Sequence, residues 1–250
     1  MIGIVVVLAG SFVAGYLGAA VGLVLGTLRL PLVLLASGDA SAAAGTNIAI
    51  STASAASGSV AHAREGRVDW GVVAWMAPPS VVGAVAGALL GHRLPESVLL
   101  GAIAAVLAWN GLDLLARPFR ERPAPEPRVW PAVVLGFAIG LLGGAIGVIL
   151  GTLRMPALLR AVGLTAHRAV GTNLVVGVAL GLFGFLAHAL RLEVEWDLLA
   201  AGVVGALPGG WLGARFTGRL SETTLRRAIG AALLMVATAF VVELVVRVAA

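Results

Sequence analysis

The first 28 residues carry no charged side chain, and apolar stretches of similar length recur along the 250-residue chain. An uncharged run of ~18–20 residues is what a helix needs to cross the hydrocarbon core of a bilayer. Inside lipid, backbone N–H and C=O groups have no water to bond, so each span must satisfy its own as a helix. Composition agrees: 60% hydrophobic residues, 12% charged residues and a mean hydropathy of +1.02 exclude an ordinary soluble domain. The fold class expected is therefore an all-α membrane protein. The predicted spans are residues 2–25, 42–61, 68–90, 96–115, 130–150, 169–187, 196–215 and 222–246, about eight in all.

All 17 basic residues are arginine, and the formal charge is +5. The arginines are scattered through short loops and form no stripe, so headgroups and topology account for them better than nucleic acid does. With no cysteine, disulfides, thiolate metal sites and cysteine nucleophiles are absent. Residues 1–14 lack a basic start, so the first apolar run is expected to be a retained span and not a cleaved leader.

The chain repeats itself. Gly22-Leu23-Val24-Leu25-Gly26-Thr27-Leu28-Arg29-Leu30-Pro31 returns as Gly147-Val148-Ile149-Leu150-Gly151-Thr152-Leu153-Arg154-Met155-Pro156, with seven identities in ten. At an offset of 126, Gly45-Thr46-Asn47 matches Gly171-Thr172-Asn173, and His62-Ala63 matches His188-Ala189. Val68-Asp69-Trp70 likewise matches Val194-Glu195-Trp196, and Leu94 and Glu96 match Leu220 and Glu222. This is a tandem duplication: a first repeat over 1–116, a linker over 117–128 rich in Arg and Pro, and a second repeat over 129–250. Four spans per half predict two homologous four-helix halves entering from the same side, with helices broken after spans one and five. Re-entrant pieces after Arg29 and Arg154 would change that count and invert the relation.

Taken together, these motifs resemble the TauE/SafE family of sulfite and organosulfonate exporters. The resemblance rests on Gly26-x-Leu28-x-x-Pro31, the small-residue helix after it and Arg64-Glu65-Gly66-Arg67-Val68-Asp69-Trp70. It rests equally on the second copies, Gly151-x-Leu153-x-x-Pro156 and Val194-Glu195-Trp196. It covers nearly the whole chain except the linker, and implies a multi-pass protein of the cell inner membrane that exports sulfite, a sulfonate or a related anion.

The repeat pairs supply the candidate site, expected between the two repeats where the duplication brings the paired arginines together. Arg29 and Arg154, each two residues before a proline, offer a permanently charged planar fork suited to an oxyanion; the alternative is that each snorkels to headgroups at a helix end. Thr27 and Thr152 stand two residues before those arginines. Thr46, Asn47, Thr172 and Asn173 are expected near helix starts, where free N–H groups favour an anion, although such side chains also bond neighbouring helices. His62 and His188 could relay protons or be interfacial histidines. Asp39 or Ser41 is expected to cap the second span, and Asp69, Trp70, Glu195 and Trp196 read as interface residues. No enzyme motif, cofactor motif or metal-binding motif is present. The partners expected are a small anionic substrate and the bilayer, with no nucleic acid; a homodimer is compatible with the sequence. The rival readings are an uptake permease for another solute and a non-transport intramembrane enzyme or assembly factor.

Overall fold

The computed structural model describes residues 2–90, 96–116, 128–146 and 151–249, and every element among them is helical. In chain order they are α1 (Ile2–Val21), α2 (Gly26–Ser37), α3 (Ala40–Arg64), α4 (Trp70–Leu90) and α5 (Glu96–Ala116). Then come α6 (Val129–Ile146), α7 (Gly151–Pro156), which continues as a π-helical turn (Ala157–Val162), α8 (Ala166–Leu190), α9 (Trp196–Thr217) and α10 (Glu222–Ala249). The expected turn at 92–95, most of the linker (117–127) and the first four residues of the second motif (147–150) lie outside the described residues.

By length and composition α1, α4, α8, α9 and α10 are able to cross a membrane, and α2, α5 and α6 contribute shorter apolar stretches. Serines and threonines keep α3 below that apolar threshold despite its 25 residues. Large apolar side chains such as Val5, Leu35, Leu182, Phe183 and Val204 stand exposed. A bilayer, not water, is the solvent in which such a surface is stable.

The first break differs from the sequence expectation. Helix α1 ends at Val21, and Gly22 takes φ +70°, a left-handed conformation that glycine adopts without a Cβ clash. The chain turns there, ahead of Arg29 and Pro31, and Pro31 sits inside α2. Helix α2 then runs back along α1: Gly10 faces Leu32 and Gly3 faces Ala36. It ends on Gly38, whose left-handed N–H closes on Leu34 O, and Asp39 caps α3 by accepting from Ala42 N at 2.7 Å.

Packing divides the chain into two compact units, each drawing on both sequence halves. The first comprises Met1–Asp69 and Val170–Arg219; the second comprises Trp70–Ala169 and Leu220–Ala250.

In the first unit α1 and α9 run parallel in close contact. Gly205, Gly209 and Gly213, one per turn of α9, abut the backbone carbonyls of Leu8, Phe12 and Tyr16, where a Cβ would collide. Small residues permit this approach, and close dispersion contact is what holds helices together in lipid. Helices α3 and α8 are antiparallel: Gly45 faces His188, Ile48 faces Gly184, Thr52 faces Gly181, Leu174 faces Gly58 and His62 faces Gly171. These two helices are repeat equivalents, so the expected same-direction relation between halves fails for this pair. The physical reason is the return stroke of α2, which adds a reversal that the count of four spans omits. The core is Val7, Val33, Ala43, Ile50, Leu198 and Ala206 toward one end, and Ala19, Ala55, Ala61, Leu174 and Ala214 toward the other.

In the second unit α4 runs parallel to α6, with Gly136 against Met76 and Gly140 against Ser80. Helix α5 runs antiparallel to α10, with Gly111 against Gly230 and Leu234.

Candidate functional site

Arg29 lies in the first turn of α2 and is 2% exposed. Its Nε donates to Asn47 Oδ1 at 2.9 Å, and Nη2 donates to Asn47 O at 2.9 Å and to Ser51 Oγ at 2.6 Å. Asn47 and Ser51 are one turn apart on α3, so the two present one polar face to the arginine fork. Every one of these acceptors is neutral, and no described carboxylate pairs with Arg29. A guanidinium buried without a counter-charge is costly in a low-dielectric interior.

Asn47 also donates from Nδ2 to Gly26 O at 3.0 Å, which ties α3 to the start of α2. No side chain caps that start: Leu25 occupies the N-cap position. The hydroxyl of Thr27, buried in the same turn, has no hydrogen-bond partner among the described residues. A small, partly open pocket adjoins this corner; Leu23, Val24, Leu25, Ala55 and Leu174 give it apolar walls, and Arg29, Ser51 and Ser54 are its polar side chains. The corner presents a guanidinium, hydroxyls and an uncapped helix start, a surface of donors suited to an oxyanion.

Asn173 is the repeat partner of Asn47, and it reaches the other end of the same break: its Nδ2 donates to Gly22 O at 2.7 Å. The paired threonines do something different. Thr46 Oγ1 accepts from Glu195 N at 2.8 Å, and Thr172 Oγ1 accepts from Asp69 N at 2.9 Å. Each threonine thus holds the loop that leads into the third span of the opposite half. The glycines before them fit this arrangement, because a Cβ on Gly45 would meet Glu193 O and one on Gly171 would meet Arg67 O.

The expected placement of these residues at helix starts is corrected. Helix α3 begins at Ala40 and α8 at Ala166, so Thr46 and Thr172 are seventh in their helices. They lie beyond the four N–H groups that a helix start leaves open. The open start beside the arginine is that of α2.

A family model for the sulfite exporter TauE/SafE matches residues 6–240. The chain belongs to the TauE/SafE family. It is similar to "Probable membrane transporter protein YdhB" of Bacillus subtilis (strain 168), 28% identical over 193 residues, covering 75% of this chain and 79% of that one. A "Probable membrane transporter protein" of Xylella fastidiosa (strain 9a5c) is 29% identical over 235 residues, covering 89% and 90%. "Probable membrane transporter protein YjnA" of B. subtilis (strain 168) is 22% identical over 237 residues, covering 88% and 92%. No solved structure gives a significant match. With its apolar helices, this makes the TauE/SafE chain a multi-pass membrane transporter and not an enzyme.

The other predicted residues of this TauE/SafE chain fall in several places. Arg154 and Thr152 are buried in α7, within the second unit, whereas Arg29, Thr27 and both Thr-Asn pairs belong to the first. Neither arginine is exposed as snorkelling would require. His62 lies in the last turn of α3 and is fully buried, with Nε2 3.2 Å from Ala19 O. His188 is partly exposed and pairs through Nδ1 with Glu193 Oε2 at 2.7 Å. Trp70 and Trp196 are exposed at helix starts, as interface residues should be, but Asp69 is buried. Arg67 is buried beside Glu65, to which it donates from Nη2. Burial pushes Arg67 below the ordinary arginine value, with Glu65 opposing the shift.

Ser51 and Ser54 stand out in the sequence only as two of the hydroxylated residues of the second span, which either glue helices together or line a wet cavity. The usable signal for Ser51 was its i+4 spacing from Asn47.

Proposed function

We propose that this TauE/SafE chain is a secondary transporter of the cell inner membrane that exports a small anion, with sulfite, an organosulfonate or a related oxyanion or carboxylate as cargo. The observation that supports this most directly is Arg29: buried, bonded only to neutral acceptors, and lining with Ser51 and Ser54 a small pocket at an uncapped helix start. In this reading the anion neutralises Arg29 and takes hydrogen bonds from Ser51 and Thr27. Asn47 holds the fork in position. Arg154 and Thr152 play the corresponding parts in the second motif, and Thr46, Thr172 and Asn173 position the surrounding backbone.

Eight spans and two broken pieces, arranged as homologous halves over 1–116 and 129–250, complete the proposal. The antiparallel course of α3 and α8 and the exchanged threonine bonds favour halves related by an axis in the membrane plane, the inverted repeat common among secondary transporters. Rocking of such halves would expose the site alternately to the two sides. With a negative-inside potential of about 100 mV, outward movement of one negative charge is favoured by about 2.3 kcal/mol, so export needs no co-ion.

The test is flux from proteoliposomes loaded with labelled sulfite or a small sulfonate. Wild-type protein should release the anion chemically unchanged. The Arg29→Ala/Arg154→Ala protein should fold yet release none. Undiminished release by that double variant removes the proposed site, and uptake of a different solute without anion release supports the permease reading instead.

A further inference from the structure

The two ends of the first unit carry opposite charge. At one end, α3 finishes at Arg64, α9 finishes at Thr217, and the loops that follow contribute Arg67 and Arg219. Contacts tie these segments together: the Arg64 guanidinium lies 5.2 Å over the Trp211 ring, and a Cβ on Gly218 would meet both Glu65 and Arg67. Arg64, Arg215 and Arg219 are exposed there. The acids at that end are Glu65, which is occupied by Arg67, and buried Asp69. At the opposite end Asp39, Glu193, Glu195 and Asp197 stand with Arg191 alone. Thr46 and its bond to Glu195 N fix the α8–α9 loop beside the first turns of α3, so these acids share one end.

We infer that the Arg64–Arg215–Arg219 rim is the cytoplasmic surface of the protein, seated on the phosphates of anionic lipids in the inner leaflet. Short loops rich in arginine stay on the cytoplasmic side, whereas acids in loops contribute little to orientation. The inner leaflet's negative surface potential attracts such a rim. Trp211 suits the assignment, since tryptophans are enriched at headgroup level and this one lies against the Arg64 guanidinium. The return stroke of α2 places the Ile2 end of α1 and the start of α3 at the same, acidic end. The Asp39 end then faces outward, and anion leaving the cell passes from the arginine rim toward that end.

The chain has no cysteine, so single cysteines report without background. Gly66→Cys and Gly218→Cys mark the arginine rim, and Gly38→Cys and Leu192→Cys mark the other end. In intact cells a membrane-impermeant maleimide should label Gly38→Cys and Leu192→Cys. Gly66→Cys and Gly218→Cys should be labelled only after permeabilisation. The reverse pattern, or equal labelling of both ends in intact cells, overturns the assignment.

The lipid half is read separately on Arg64→Gln/Arg215→Gln/Arg219→Gln protein. Phosphatidylglycerol vesicles should raise the melting temperature of wild-type protein above that in phosphatidylcholine, and the triple variant should lose most of the difference. A matching rise with inorganic phosphate alone, or an unchanged rise in the triple variant, rejects the lipid site.

Discussion

Asn47 and Asn173 hold one break from its two ends: the first donates to Gly26 O at 3.0 Å and the second to Gly22 O at 2.7 Å. They occupy corresponding positions in the two sequence halves yet grip the same four-residue connection. Backbone bonds brace its ends, Leu23 N to Gly18 O at 2.8 Å and Leu28 N to Leu25 O at 3.2 Å, and the two amides satisfy the carbonyls of Gly22 and Gly26. The shape of the corner beside Arg29 therefore depends on residues from both halves.

Asn47→Ala should cost more function than stability. Its loss leaves Gly26 O without this donor and frees Arg29 Nε, an effect of about 1–3 kcal/mol on unfolding in detergent. Anion flux should fall further, because the guanidinium no longer has its fixed orientation. Asn173→Ala should match the stability loss with a smaller effect on flux. Equal flux losses would show that orientation of Arg29 is unimportant.

Arg29→Lys should behave as a loss and not a conservative exchange. The ammonium keeps the charge but cannot donate in a planar fork to Asn47 and Ser51 together. Anion affinity should drop about tenfold or more, where tenfold corresponds to about 1.4 kcal/mol. Isothermal titration or a ligand-induced melting shift measures it.

Thr46→Val and Thr172→Val each remove the acceptor of a backbone N–H, from Glu195 and Asp69 respectively. Each should lower stability by about 1–3 kcal/mol, and Thr→Ser at either site should restore most of it. Melting curves of the four variants decide the matter, and an unchanged valine variant would show that water replaces the hydroxyl.

Glycines should separate into two classes. Gly209→Ala places a Cβ against Phe12 backbone and should cost about 1–3 kcal/mol through overpacking, with a fall in folded yield. Gly163→Ala meets open space but a φ of +89°, so its cost should be the left-handed penalty of about 1–2 kcal/mol alone. Enlarging both to valine should widen the gap at Gly209 far more than at Gly163.

How much of this was legible beforehand depends on the residue. The helices were readable from apolar runs, and Asp39 from its place before a small-residue helix. The Gly-Thr-Asn triplets were visible as a repeat, but their jobs were not. Glycine for approach, threonine for the opposite loop and asparagine for the break all depend on which helices become neighbours. The antiparallel course of α3 and α8 turns on Gly22, and the sequence left open whether the piece after Arg29 was re-entrant. A positive φ at one glycine reverses the chain, and nothing in the local pattern separates it from the packing glycines at 15 and 18. Arg29 stood out as a lone charge at the end of an apolar run, whereas Ser51 stayed one of several hydroxylated residues, because a serine one turn from an asparagine is common in helices that merely pack.

The glycine ladder between α1 and α9 has a consequence for biogenesis. Helix α1 leaves the ribosome well before α9, because each contacting pair, such as Leu8 and Gly205, is 197 residues apart. Until then its close-packing face meets only lipid or the insertion machinery. A nascent chain stalled before α9 should be a substrate for membrane quality control, and a fragment ending at residue 116 should need its complementary fragment in the same membrane to escape degradation.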